Sequence, residues 1–195
     1  MTPEAASGFA TLGAMSSPSH DAGIPPRRPT ARFLLSHPAH FIALGAGTGL
    51  SPVAPGTAGT LWAWVAFLVM QQWLSTAALG WMILAGLPVG WWACSVTARH
   101  MGVADPGAIV WDEIVAFWLV LWLVLPAGLL MQATAFVLFR FFDAAKPGPV
   151  GWADQRFKPQ PGQPRWWRAG WGILFDDFVA ALCTLLVIAL FMRFW

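Results

Sequence analysis

Apolar residues run along this chain in long blocks with few interruptions. Blocks at 61–71, 74–97, 109–128, 129–146 and 171–195 are nearly continuous in aliphatic and aromatic side chains, and each predicts a short helical span. Gln71 and Gln72 part the first two, a polar connection over 98–107 carries Arg99 and His100, and the Pro-, Gly-, Trp- and Arg-rich stretch 147–169 reads as a long loop. Ahead of the first block lies GAGTGLSPVAPGTAGT, residues 45–60, whose glycines and prolines predict a shaped loop. The 61–71 block is short for a span and borrows residues from that loop. Residues 1–30 have no apolar periodicity and predict a disordered tail; the tail region is placed at 1–36 and a membrane domain at 37–195. Arg27, Arg28 and Arg32 precede a stretch broken by His37, Pro38 and His40, which does not resemble a secretory signal and predicts at most an interfacial helix near 38–44.

Composition moves this pattern into a bilayer. The 195 residues are 57% hydrophobic and 10% charged, against about 25% charged in soluble domains. The expected fold is all-α: a small polytopic membrane bundle of four or five short spans with the Gly/Pro-rich loop at one face. A formal charge of +2 without a basic run gives nucleic-acid binding no support. If the basic amino-terminal region is cytoplasmic, the connections 98–108 and 147–170 are too; the latter holds Arg156, Lys158, Arg165 and Arg168, while the turns near Gln71 and Leu129 carry no charge. Cys94 and Cys183 stand far apart in apolar stretches and read as packing residues. His37 and His40 have no zinc-type partners and read as headgroup-facing.

Five of the nine acidic residues then become conspicuous: Asp112, Glu113, Asp143, Asp176 and Asp177 lie in or at the mouths of the apolar blocks. At about 2.5 to 3.5 kcal/mol per acid at the centre of an inserted helix, five facing lipid would cost on the order of 13 to 17 kcal/mol. They must sit near the interface, face protein, or bind cations. In the orientation above, all five emerge on the same face as the Gly/Pro loop.

The acids also fall in patterns. IVWDEIVA at 109–116 is echoed by ILFDDFVA at 173–180, which suggests two helices entering the bilayer alike, side by side. Adjacent acids on a helix point to neighbouring faces, so one can bind a metal while the other binds a second metal or orients its partner. A blander account is helix-dipole stabilisation, since each pair lies in the first turns of its predicted helix. In FRFFDAAKPGP, Arg140, Asp143 and Lys146 stand at i, i+3 and i+6 on one stripe. That order suits a metal-bound phosphate, with Asp143 on the metal and both cations on phosphoryl oxygens; a surface ion-pair ladder is the alternative. The 45–60 loop offers backbone N–H groups at glycines such as Gly56, with hydroxyls from Thr48, Ser51, Thr57 and Thr60, to cradle an anion. A tight re-entry turn is the competing account.

Taken in order, GTGLSPVAPGTAGT, AIVWDEIVAFW, FRFFDAAKPGPV and GWGILFDD resemble the phosphatidylglycerophosphatase A family over about 37–195. The resemblance implies a Mg²⁺-dependent phosphomonoesterase of the bacterial inner membrane, acting on phosphatidylglycerophosphate in phospholipid biosynthesis. It places the acidic motif positions on Asp112, Glu113, Asp143, Asp176 and Asp177 and the basic ones on Arg140 and Lys146. Residues 159–168 stand as an insertion relative to the family, and Ala169 replaces a glycine. Two rivals are a cation or proton transporter and a CDP-alcohol phosphotransferase; the first needs carboxylates through the midplane, and the second a DG…AR…G…D…D pattern the chain lacks.

Overall fold

The computed structural model describes residues 28–157 and 165–194, so the tail before Arg28 and most of the 159–168 insertion lie outside the described residues. Among them every regular element is helical: α1 (Ala31–Leu35), α2 (Pro38–Ala43), a 3₁₀ segment (Gly45–Leu50), α3 (Pro55–Met70), α4 (Thr76–Met101), α5 (Trp111–Leu123), α6 (Leu129–Ala145), α7 (Pro149–Arg156) and α8 (Trp166–Phe194). The helical element at 38–43 and the borrowing of loop residues by the first block are both found. Pro55 at the first position of α3 explains the second, because a missing N–H there removes no helical hydrogen bond.

The expected four or five spans are corrected. Among the described residues two helices, α4 and α8, are long and apolar enough to cross a membrane; α3 is apolar but shorter. At 1.5 Å per residue the 26 and 29 residues of α4 and α8 reach about 39 and 43 Å, beyond a hydrocarbon core of about 30 Å. The block 109–128 yields only the 13 residues of α5, about 20 Å, because the helix stops at Val124 ahead of Pro126. Helix α5 is instead the hub. Ile114, Val115, Ala116, Phe117, Val120 and Leu121 are fully buried, and α3, α4, α6 and α8 all pack on it.

Indoles fasten this hub. Trp111, Trp118 and Trp122 of α5 donate to the carbonyls of Gly86, Ala63 and Thr76 at 2.8 to 3.0 Å, and Trp64 donates to Gln132. Each of these indole N–H groups is thus satisfied on a neighbouring helix. The outer face of α8 stays apolar, with Leu182, Leu186, Leu190 and Phe191 exposed, which suits contact with lipid. Cys94 and Cys183 are free thiols packed against apolar neighbours, as expected.

Two other expectations fail locally. The stretch 147–169 is not one long loop: α7 sits in it and α8 begins at Trp166. His40 does not face headgroups but is buried, stacked on Phe33 and edge-on to His100. The Phe33 carbonyl can only accept, so neutral His40 donates from Nδ1 at 2.8 Å and accepts at Nε2 from His100 Nδ1 at 2.7 Å. This pins α1 and α2 to the last turn of α4.

Burial holds the His40 pKa below 6.5; its bond to Phe33 opposes this, and the nearby His100 and His37 add to the lowering. Because the unfolded chain takes the proton first, the stabilisation from this contact is complete above 6.5 and is lost as pH falls below it. Amide exchange over residues 31–44, corrected for intrinsic rates, should lose protection between about pH 7.5 and 5.5. His40→Gln should blunt that dependence; equal protection at both pH values would sink the assignment.

Candidate active site

The acidic side chains are delivered from three helices in three different local settings. Asp112 and Glu113 occupy the first turn of α5, where the positive helix end favours carboxylates. Asp143 lies near the end of α6. Asp176 and Asp177 stand almost three turns inside α8, because that helix starts at Trp166, so the helix-end account cannot hold for them. Among the described residues nothing about α8's local structure explains two buried acids there. Packing does: α8 lies along α5, as the echoed sequence suggested, and also along α6.

Oxygens of Asp112, Glu113 and Asp177 lie within 4.8 Å of one another, close enough to share one cation. Asp112 Oδ1, Glu113 Oε2 and Asp177 Oδ2 are buried with no hydrogen-bond partner among the described residues, as is Asp176 Oδ1. Buried unpartnered carboxylate oxygens are costly, and a hard divalent cation is the partner that suits an all-oxygen set. The residues fit a bound divalent metal. The two remaining acids are held differently. Asp143 faces Glu113 and Asp177 while pairing with Arg140, and Asp176 accepts from Lys146 Nζ at 2.6 Å.

Arg140 joins the two parts of the site. Its Nη1 lies 3.8 Å from Glu113 and donates to Thr60 Oγ1 at 3.3 Å. Gly56 is the second residue of α3, and a Cβ there would stand 2.1 Å from Glu113 Oε1 and 3.1 Å from Arg140 Nη2. Only glycine lets the α3 backbone come so near. That helix begins without a side-chain cap, at Ala54 in the left-handed region (φ 46°), so its first N–H groups stay available beside the acids and Arg140. Gly56 and Thr60 therefore reach the site from the Gly/Pro segment. Thr57 is exposed in the same first turn, whereas the Ser51 hydroxyl donates to the Val53 carbonyl and shapes the loop instead.

The expected stripe of Arg140, Asp143 and Lys146 is broken. Lys146 caps α6 in the left-handed region (φ 45°, ψ 49°), which swings it off the α6 face toward α7 and α8. There it bridges Asp176 and Asp154, each at 2.6 Å. Burial alone would lower its pKa, but the two carboxylates outweigh that and raise it, so the ammonium stays charged. Sequence pattern misses Asp154 because the Pro and Gly residues around α7 predict a loop. Asp105, also missed, lines a small cleft with Asp154 and Asp176. The signal was present in KPGPVGWAD: a proline at the first position of a helix with apolar Val150 and Ala153 on one side and Asp154 beside them.

A helical membrane protein with a buried carboxylate cluster for a divalent cation, flanked by a guanidinium and an open helix N-terminus, defines a phosphoryl-handling membrane enzyme. The chain belongs to the phosphatidylglycerophosphatase A family, whose model matches residues 41–192. It is 35% identical over 154 residues to phosphatidylglycerophosphatase A of Escherichia coli, covering 79% of this chain and 83% of that protein. It is 32% identical over 160 residues to the Haemophilus influenzae protein of the same name, covering 82% and 92%. A Bacteroides thetaiotaomicron protein named as a candidate phosphatidylinositol-3-phosphatase is 32% identical over 156 residues, covering 76% and 90%. No solved structure matches the chain.

Replacing Asp177 by Asn removes a charge while keeping shape. Divalent-cation affinity, read from the rise in thermal midpoint with added cation in detergent, should weaken roughly tenfold or more. An identical cation-induced rise in wild type and Asp177→Asn would remove Asp177 from the cation site.

Proposed function

We propose that this chain hydrolyses phosphatidylglycerophosphate to phosphatidylglycerol and inorganic phosphate, with Mg²⁺ as cofactor, at the cytoplasmic face of a bacterial inner membrane. The observation that carries this is the three-carboxylate cluster of Asp112, Glu113 and Asp177 set beside Arg140 and the uncapped start of α3 at one end of the bundle. The headgroup rests on the names of the Escherichia coli and Haemophilus influenzae relatives. The orientation rests on Arg28, Arg32, Arg99, Arg156, Arg165 and Arg168, which flank elements at the acid-bearing end, with Arg193 at the far end of α8. Helices α3, α5 and α6, each under 18 residues, complete the intramembrane bundle around α4 and α8.

Asp112, Glu113 and Asp177 would hold the Mg²⁺, which when bound neutralises phosphate charge and polarises the ester phosphorus. Arg140, steadied by Thr60, faces the phosphoryl oxygens with its planar fork of donors. The Gly56 and Thr57 N–H groups supply further donors, aligned with the helix dipole. Lys146 provides a second fixed cation, and Asp143 and Asp176 hold the two cations in place. Overall, water gives its oxygen to phosphorus, the bond from phosphorus to the glycerol oxygen breaks, and that oxygen leaves carrying a proton from the water.

A cation or proton path would need carboxylates strung through the bundle. Among the described residues the acids inside the apolar helices gather at one end, and the deeper buried polar groups are the neutral Gln132 and Thr184.

Purified protein should release phosphate from phosphatidylglycerophosphate with Mg²⁺, stop when the metal is chelated, and prefer this substrate over phosphatidylinositol 3-phosphate. Arg140→Met should lower kcat by about 10²- to 10³-fold, the usual loss when an organised donor to a charged transition state is removed. No phosphate release from any lipid phosphomonoester, alongside cation flux in liposomes, would favour the transporter instead.

A further inference from the structure

Lys146 adopts a left-handed backbone conformation (φ 45°) that residues with a side chain disfavour, and such conformations persist where the surroundings enforce them. Two features enforce it. A Cβ on Gly151 would lie 2.7 Å from the Lys146 carbonyl oxygen, so the first turn of α7 folds directly onto that peptide. Asp154, one turn further along, accepts from Lys146 Nζ at 2.6 Å. Helix α7 is short, and its buried Val150 and Ala153 seat it, with α8 as its main neighbour, leaving Asp154 turned to the site.

The geometry around the ammonium is asymmetric in a useful way. Lysine has three N–H donors; among the described residues two go to Asp154 Oδ1 and Asp176 Oδ2. Asp176 keeps its other oxygen buried and, among the described residues, unpartnered. With Asp154 absent, a flexible four-carbon stem would leave the ammonium to close on Asp176 alone or to swing into the cleft between α7 and α8. In either case the ammonium is no longer held between the two carboxylates.

We propose that Asp154 is a positioning residue that fixes the Lys146 ammonium for a phosphoryl group and acts on phosphate only through Lys146. This rests on the phosphatase reading above. The carboxylate on α7 thus completes a chain of fixed charges, Asp154 to Lys146 to Asp176, that links a peripheral helix to the acids of α8.

The test is a double-mutant cycle in the full chain, with Mg²⁺-dependent inhibition by inorganic phosphate and direct phosphate binding by calorimetry as readouts beside kcat and KM. Asp154→Asn in the wild-type background should weaken phosphate on the order of 10- to 100-fold, as loss of a charge-assisted anchor does. In a Lys146→Met background the same change should have almost no effect. Asp154→Glu should restore part of the loss. Wild-type phosphate affinity in Asp154→Asn, or an equal loss in both backgrounds, overturns the proposal, the second result meaning that Asp154 merely packs α7. If Asp154→Asn does not fold, Asp154→Ser is read in the same cycle against the same outcomes. Wild-type protein that neither hydrolyses a lipid phosphomonoester nor binds phosphate overturns the phosphatase reading and this proposal together. Activity with additive variants removes only the proposal.

Discussion

A carboxylate buried without a partner in an apolar bundle works against the fold that contains it, and here several are pressed together at one end. Asp112, Glu113 and Asp177 present unpartnered buried oxygens to one another, so folding the described chain concentrates like charge instead of dispersing it. The surrounding arrangement answers that repulsion. Arg140 pairs with Asp143 and approaches Glu113, and Lys146 pairs with Asp176, so each cation offsets charge at the edge of the cluster, while the three central carboxylates fit a divalent cation. The site and the stability of the bundle are therefore linked through the same few charges.

Close helix packing is what makes so dense a cluster reachable. Gly56 and Gly59 allow α3 to lie against Glu113 and Val110, where a Cβ would stand 2.1 and 2.8 Å from atoms already present. The Trp111, Trp118 and Trp122 indoles then tie the hub to α4 and α3 through backbone carbonyls, which substitutes for the driving force that burial from water would give a soluble core. A short α5 follows from this role. It carries the first acid pair and fills the middle of the bundle, and 13 residues suffice for both.

Much of this was legible in the sequence because apolar blocks, acid pairs and their echo are local patterns. The Asp112 and Glu113 pair, the adjacency of the two echoed helices, and the approach of the Gly/Pro segment to the acids could all be read that way. What could not be read were features set by helix ends. The start of α8 at Trp166 moved Asp176 and Asp177 from a first turn to a helix interior, and the left-handed cap at Lys146 broke a stripe that periodicity alone would continue. Asp154 escaped for the same reason, since Pro and Gly around α7 signal a loop as readily as a helix start. The buried His40 shows the complementary limit: its partner, His100, lies 60 residues away and only the folded chain brings them together.

The placement of the acids at one rim of the bundle sets how such an enzyme meets its substrate. A glycerophospholipid whose acyl tails remain in the leaflet can bring its phosphate to Arg140 and the start of α3 by lateral diffusion, without desorbing into water. Encounter is then two-dimensional: rate should follow the mole fraction of substrate in the surface, falling when inert lipid or detergent dilutes it at constant bulk concentration. The product, still anchored by the same tails, departs the same way and competes from within the same plane.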